Sequence, residues 1–168
     1  AVISLMMIPG ILTLVPSFML YKSLIGLDNY MILILPQIVG PVFGVFLLRS
    51  FFEGIPEDIF EASRIDGAGE FKIYMKVCLP LSLPIMGTLA IMQITNAWND
   101  YMWPMITIKN NDLMTISAGL MLNYVGPTNS NYPIITAGYL VASIPLIFIF
   151  IFANKFFIQG LTGSAMKL

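Results

Sequence analysis

Val77-Cys-Leu-Pro-Leu-Ser-Leu-Pro-Ile-Met-Gly-Thr-Leu-Ala-Ile-Met-Gln-Ile-Thr-Asn-Ala-Trp-Asn99 carries no charge between Lys76 and Asp100. Wound as a helix at about 1.5 Å per residue, a run of this length crosses the roughly 30 Å hydrocarbon layer of a bilayer. Working outward, the same reading applies to Ala1 to Tyr21, to Asn29 to Leu48 between Asp28 and Arg49, and to Ile134 to Asn154. These runs predict an all-α membrane protein, a bundle of about four transmembrane helices with spans near 1–21, 29–50, 79–107 and 134–155. Leu113 to Leu122 is too short to span and suits a surface or re-entrant helix. The turn-forming Asn123-Tyr-Val-Gly-Pro-Thr-Asn-Ser-Asn-Tyr-Pro133 sets it apart from the last run.

Composition agrees with that class. Hydrophobic residues make up 58% of the 168 and charged residues 10%, with a mean hydropathy of +0.86. A net charge of −1 supplies no basic field for a phosphate backbone, so nucleic acid is not an expected partner. With no histidine in the chain, His-ligated metals, Ser-His-Asp triads and Cys-His dyads are excluded. Cys78 is the only cysteine, which excludes an intrachain disulfide and a Cys-rich metal cluster. No metal site and no catalytic residue is expected. The phosphate-cradling G-x-x-x-x-G-K-[ST] pattern is absent, so ATP is not expected to bind to this chain.

Orientation follows from the basic residues, which are retained on the cytoplasmic side of a membrane. With four spans, Arg49, Arg64, Lys72, Lys76, Lys155 and Lys167 share one side, and Lys22 and Lys109 the other. That asymmetry predicts a cytoplasmic loop over 51–78, an external loop over 108–133 and a cytoplasmic tail over 156–168. Ala1 to Tyr21 has no basic n-region or small-residue cleavage site and is read as a span. Gly40-x-x-x-Gly44 offers a close helix approach, or marks only two glycines around a Pro41 kink.

The loop over 51–78 concentrates charge. Glu53, Glu57, Asp58, Glu61, Asp66 and Glu70 are six of the nine acids in the chain. Pro56 followed by Glu57 and Asp58 is a helix start, because proline fits the first turn and acids favour the positive end of the dipole. Ile55, Ile59, Ala62 and Ile65 recur at helical spacing, Gly67-Ala-Gly69 ends the helix, and Glu70 to Val77 forms a second one before Pro80. Gly67 and Gly69 hold nothing away from the backbone, while Glu61, Arg64 and Asp66 surround the break with charge. Two readings fit: a plug for a protein socket, or an amphipathic hairpin on the membrane surface. Interfacial helices carry basic polar faces, and this one is acidic, which favours docking to a protein.

Glu61-Ala-Ser-Arg-Ile-Asp-Gly-Ala-Gly69, followed by Val77-Cys-Leu-Pro80 and Leu81-Ser-Leu-Pro84, resembles the Glu-Ala-Ala loop of permease subunits of bacterial ATP-binding cassette importers. Asp66-Gly-Ala68 and Asn96-Ala-Trp-Asn-Asp100 are similar to the carbohydrate-uptake branch that includes the second permease of the maltose transporter. Ser63 stands where that loop has its second Ala. The resemblance implies a coupling helix seated in a cytoplasmic ATPase, with Glu61 paired to a basic group and Gly67 allowing close approach. Ala62, Arg64, Asp66, Ala68 and Gly69 would then shape the contact, and the tail from Gly160 would lie beside the ATPases. It further implies a bacterial cytoplasmic-membrane location with a cytoplasmic C-terminus, and ATP held by a partner ATPase dimer. A second permease subunit and an extracytoplasmic solute-binding protein complete the implied assembly, and two earlier spans are expected to precede Ala1.

In the third span Gln93, Asn96, Asp100 and Thr107 recur at intervals compatible with one helical face, flanked by Asn99. Polar residues inside a membrane face a bundle interior or a water-filled path, so Gln93, Asn96, Asn99 and Asp100 are candidate pathway residues. Trp98, Tyr101 and Trp103 offer flat faces to a sugar ring, or act only as interfacial anchors. The function expected is an ATP-driven importer permease for a sugar or oligosaccharide. The competing reading is a non-transporting membrane scaffold that docks a cytoplasmic partner.

Overall fold

The computed structural model describes the backbone of residues 2–39, 42–125 and 131–165, and side chains over 4–39, 42–125 and 131–153. Helices α1 (Val2–Met6), α2 (Gly10–Ile25), α3 (Tyr30–Val39), α4 (Val42–Glu53), α5 (Glu57–Ile65) and α6 (Glu70–Ile73) follow in order. A π-helical turn at Tyr74–Cys78 leads into α7 (Leu79–Asn99), then α8 (Met102–Thr107), α9 (Ile116–Tyr124) and α10 (Tyr132–Ala165). The all-α class is borne out, with no strand among the described residues.

Among the described residues, three stretches are long and apolar enough to cross a membrane: Tyr30–Glu53, Glu70–Asn99 and Tyr132–Ala153, of 24, 30 and 22 residues. The run expected as a first span is broken instead. Pro9 has no N–H and disfavours helical geometry at Ile8, so α1 stops at Met6 and α2 restarts after Pro9. The 16 residues of α2 reach about 24 Å, short of the hydrocarbon thickness.

The third expected span also differs from its reading. It starts earlier, because α6, the π turn and α7 form one continuous helical run from Glu70 to Asn99. Pro80 cannot donate to the Lys76 carbonyl and its ring crowds that group, and the wider π turn just before it absorbs the conflict. The run ends sooner, because Asp100 turns extended with ψ 114° and α8 starts afresh. Thr107 therefore shares no face with Gln93. It is fully buried in α8 and donates to the Trp103 carbonyl at 2.7 Å. At the far end, α10 continues as helix through Ala165, so residues 156–165 of the expected tail are helical. Gly40 and Pro41 of the Gly-x-x-x-Gly pattern lie outside the described residues.

α7 is the hub and packs against α4 and α10, with Ile85, Ile91, Ser82 and Thr88 buried along it. The nine-residue α9 lies against α8 and α10 with Ser117 and Ala118 buried, as a packed surface helix too short to span.

A hydrophobic core caps the α7 C-terminus, where Ile32, Trp103 and Ile108 are packed among Phe18, Tyr21, Leu27 and Met114. Asp28 ties it from outside in a left-handed conformation with φ 56°. Its N–H donates to the Thr107 carbonyl at 3.1 Å, and its carboxylate accepts from the N–H groups of Lys109 and Asn110. Those backbone donors, with the Lys109 charge, hold the Asp28 carboxyl below the usual carboxylate range. The segments around Lys22–Asp28 and Lys109 thus sit at one end of the molecule. The 30-residue run from Glu70 puts the α5–α6 turn about 45 Å away at the other end.

Candidate functional site

The α5–α6 connection is built almost wholly from local chemistry. Pro56 starts α5, Glu57 and Asp58 occupy its first turn, and Asp66 closes it by donating its N–H to the Ala62 carbonyl at 3.0 Å. Gly67 then turns left-handed, with φ 75°. The Ala68 N–H donates to the Ser63 carbonyl and the Gly67 N–H to the Arg64 carbonyl, both at 3.0 Å. These two bonds are the paired closure of a Schellman turn, which requires a residue at ease with positive φ at its second-last position, Gly67. Gly69, extended at φ −72° and ψ 161°, caps α6.

Arg64 clamps the elbow shut. Its Nη1 lies 3.1 Å from Glu57 Oε1 and its Nε 3.1 Å from Glu70 Oε1, joining the start of α5 to the start of α6. The hydrogen bond to Glu70, then that to Glu57, raises the guanidinium further above its already high range. Both pairs are exposed, so they set geometry more than stability. Glu61 is exposed and makes no ion pair among the described residues. Ala62, Asp66, Gly67 and Gly69 are exposed as well, and Ala68 is half-buried. The seven candidates thus occupy one turn, with Arg64 engaged internally and Glu61 uncommitted.

Two apolar side chains beside that turn were not counted among the docking candidates. Ile65 is 86% exposed and Phe71 is 78% exposed, whereas Ile73 two residues on is buried. Their signal was present as large apolar residues flanking Gly67–Gly69 in the most acidic segment of the chain.

The second group of candidates divides. Gln93 Nε2 donates to Gln37 Oε1 at 2.7 Å and to the Gln37 carbonyl at 3.3 Å, joining α7 to α3. That carbonyl needs a donor, because the residue four ahead is Pro41 and has no N–H. Asn96 is exposed beside the pair and makes no side-chain hydrogen bond among the described residues. Gln37, Gln93 and Asn96 line a cleft of about 630 Å³ with Phe43, Leu48 and Met92. Toward the cap, Gln37 and Gln93 also line a second cleft of about 420 Å³ with Asp100, Trp103 and Thr115.

Asn99 and Asp100 do different work. Asn99 Nδ2 donates back to the Thr95 carbonyl at 2.9 Å on an exposed face, and lines neither of these clefts. The Asp100 carboxylate accepts from the Trp103 N–H at 3.2 Å and caps the first turn of α8. Both tryptophans are structural through their indole N–H. Trp103 donates to the Ile32 carbonyl at 2.7 Å, a group orphaned by Pro36, and Trp98 donates to the Ala142 carbonyl at 3.1 Å. Ser117 Oγ in turn satisfies the Trp98 carbonyl in the last turn of α7, at 2.5 Å. Gln37 was missed because nothing near it in sequence marks it; its partner lies 56 residues away.

Comparison with known proteins agrees with the motif. The arabinooligosaccharides transport system permease protein AraQ of Halalkalibacterium halodurans is 37% identical over 166 residues, covering 99% of this chain and 59% of that protein. AraQ of Bacillus subtilis is also 37% identical over 166 residues, covering 99% and 58%. This chain therefore spans rather more than half the length of those relatives. Among solved structures, a bacterial ABC transporter involved in the import of the acidic polysaccharide alginate matches with a TM-score of 0.67 at 27% identity, over 85% of this chain and 55% of that one. The resemblance drawn from Glu61 to Gly69 and Asn96 to Asp100 is thereby borne out. Residues 1–163 match the binding-protein-dependent transport system inner membrane component family, and the chain belongs to it.

Proposed function

We propose that this chain forms the membrane part of a permease subunit in an ATP-driven carbohydrate importer, and that its Glu61–Gly69 elbow docks a cytoplasmic ATPase. The observation that carries the proposal is the elbow itself, a preformed turn held by Arg64, with Gly67 bare at its tip and Glu61 uncommitted. Exposed Ile65 and Phe71 support it, since apolar side chains left in water forgo about 25 cal/mol per Å² that a partner's surface would recover. The partners are an ATPase dimer that holds the ATP, a second permease subunit and an extracytoplasmic binding protein. In this reading the elbow and C-terminus are cytoplasmic, and the Asp28–Lys109 cap faces the binding protein.

Mechanically, closure of the ATPases displaces the elbow, and the continuous run from Glu70 transmits the displacement to α7 and the Gln93–Asn96 cleft. Alternation between inward and outward openings of that cleft then moves the cargo. Arabino-oligosaccharides, which the names of two relatives specify, are the first cargo to test. The full-length subunit, reconstituted with its ATPase, partner permease and binding protein, is expected to accumulate labelled arabinotriose in liposomes only with ATP. Binding of the ATPase without ATP-dependent uptake of any labelled sugar would instead leave the chain a docking scaffold.

A further inference from the structure

The Gln37–Gln93 contact lies where the two clefts meet. Both side chains line the approximately 630 Å³ cleft and the approximately 420 Å³ cleft, so cargo moving from one to the other passes these amides. Their chemistry is specific. Each amide offers an N–H donor and a carbonyl acceptor side by side, the arrangement that a pair of neighbouring hydroxyls completes. The existing amide–amide bond can thus be exchanged for amide–hydroxyl bonds with little loss, while Asn96 adds an uncommitted amide and Phe43 and Met92 supply apolar walls.

Charge narrows the cargo further. Among the described residues, no lysine or arginine lines either cleft, and the one ionisable acid there is Asp100. An anionic sugar would meet a carboxylate and no countercharge, and a desolvated anion without a partner is costly.

We propose that Gln37 and Gln93 form a hydroxyl-reading station that exchanges their mutual hydrogen bond for bonds to a neutral polyhydroxyl cargo and disfavours uronate sugars. The proposal rests on the importer reading and assigns a substrate class to its pathway.

The test uses the complete transporter in liposomes, with labelled arabinotriose, maltotriose and trigalacturonate as probes. Uptake of a neutral probe is expected to exceed that of trigalacturonate. Gln93→Leu is expected to raise the half-saturating concentration of the neutral probe about three- to twentyfold, the range of one interhelical hydrogen bond in a membrane, with ATPase co-purification unchanged. Gln93→Asn, which keeps the amide but shortens its reach, should fall between, and Gln37→Met should match Gln93→Leu. If Gln93→Leu does not assemble, the other two variants carry the comparison. Unchanged half-saturation in assembled variants, or preferential uptake of trigalacturonate, overturns the station and leaves the importer reading intact. Failure of the wild-type complex to move any probe overturns the importer reading and the station with it.

Discussion

Replacing Gly67 separates the two things a glycine supplies, a permissive backbone and an empty space above it. The backbone term is set by φ 75°, which costs an ordinary L-residue such as alanine about 1–2 kcal/mol. That corresponds to roughly a five- to thirtyfold loss of the closed elbow. The space term is set by the surroundings, and within this chain a Cβ at Gly67 would meet nothing within 4 Å. Asparagine visits the left-handed region readily, so Gly67→Asn keeps the Ala68–Ser63 and Gly67–Arg64 closures while filling the space. Anything that rejects Asn there must come from outside the chain. The assay is co-purification of the ATPase with the full-length permease in nanodiscs, with protease protection across residues 64–70 reporting the elbow. Gly67→Asn is expected to keep protection and lose at least about tenfold in ATPase affinity, about 1.4 kcal/mol. An intact elbow with wild-type affinity and wild-type stimulation of ATP hydrolysis would refute the idea that a partner closes over Gly67.

Three further outcomes follow from the packing. Trp103→Phe removes the donor to the Ile32 carbonyl and should cost about 1–3 kcal/mol in detergent unfolding; Pro36→Ala supplies a backbone N–H to the same carbonyl and should erase about 1 kcal/mol of that loss in a double-mutant cycle. Because the Asp28 carboxyl is depressed, its contribution is complete above the ordinary value of 3.8 and is lost as pH falls through the lower folded value. Protection of the Lys109 and Asn110 amides from hydrogen exchange should therefore be flat from about pH 7 to 5 and fall only below about 3.8, whereas Asp28→Asn should weaken it throughout. A Cβ at Gly138 would collide with Leu120 Cδ2, so Gly138→Ala should destabilise α9 against α10 by about 1 kcal/mol, and Leu120→Ala should relieve it.

The elbow was legible from sequence because its determinants are neighbours: Pro56, the acids after it, Gly67 and Gly69 act within a few residues of one another. The apolar runs were legible for the same reason, since length and hydropathy are local sums. The prolines within the apolar runs are plain in the sequence, yet their consequences depend on donors that lie elsewhere in the chain. Pro9 broke a helix outright, while Pro36 stayed inside α3 because Trp103, 71 residues from Ile32, supplies the missing hydrogen bond. Gln37 was invisible for that reason too, as was the division of Gln93 and Asn96 from Asn99 and Asp100. Spacing along an assumed unbroken helix put Thr107 on the wrong face, because the break at Asp100 rests on a cap formed with Trp103.

The π turn at Tyr74–Cys78 fixes the phase between the two ends of the molecule. A π turn accommodates one residue more than the α-helix it interrupts, and each residue of helix is worth about 100° of rotation. Deleting a single residue there would leave the hydrophobic content of the span nearly untouched, yet swing Phe71 and the turn beyond it by more than a quarter of a circle. A hybrid spliced at the bilayer boundary inherits the correct heading only if this bulge and the prolines that follow it travel together.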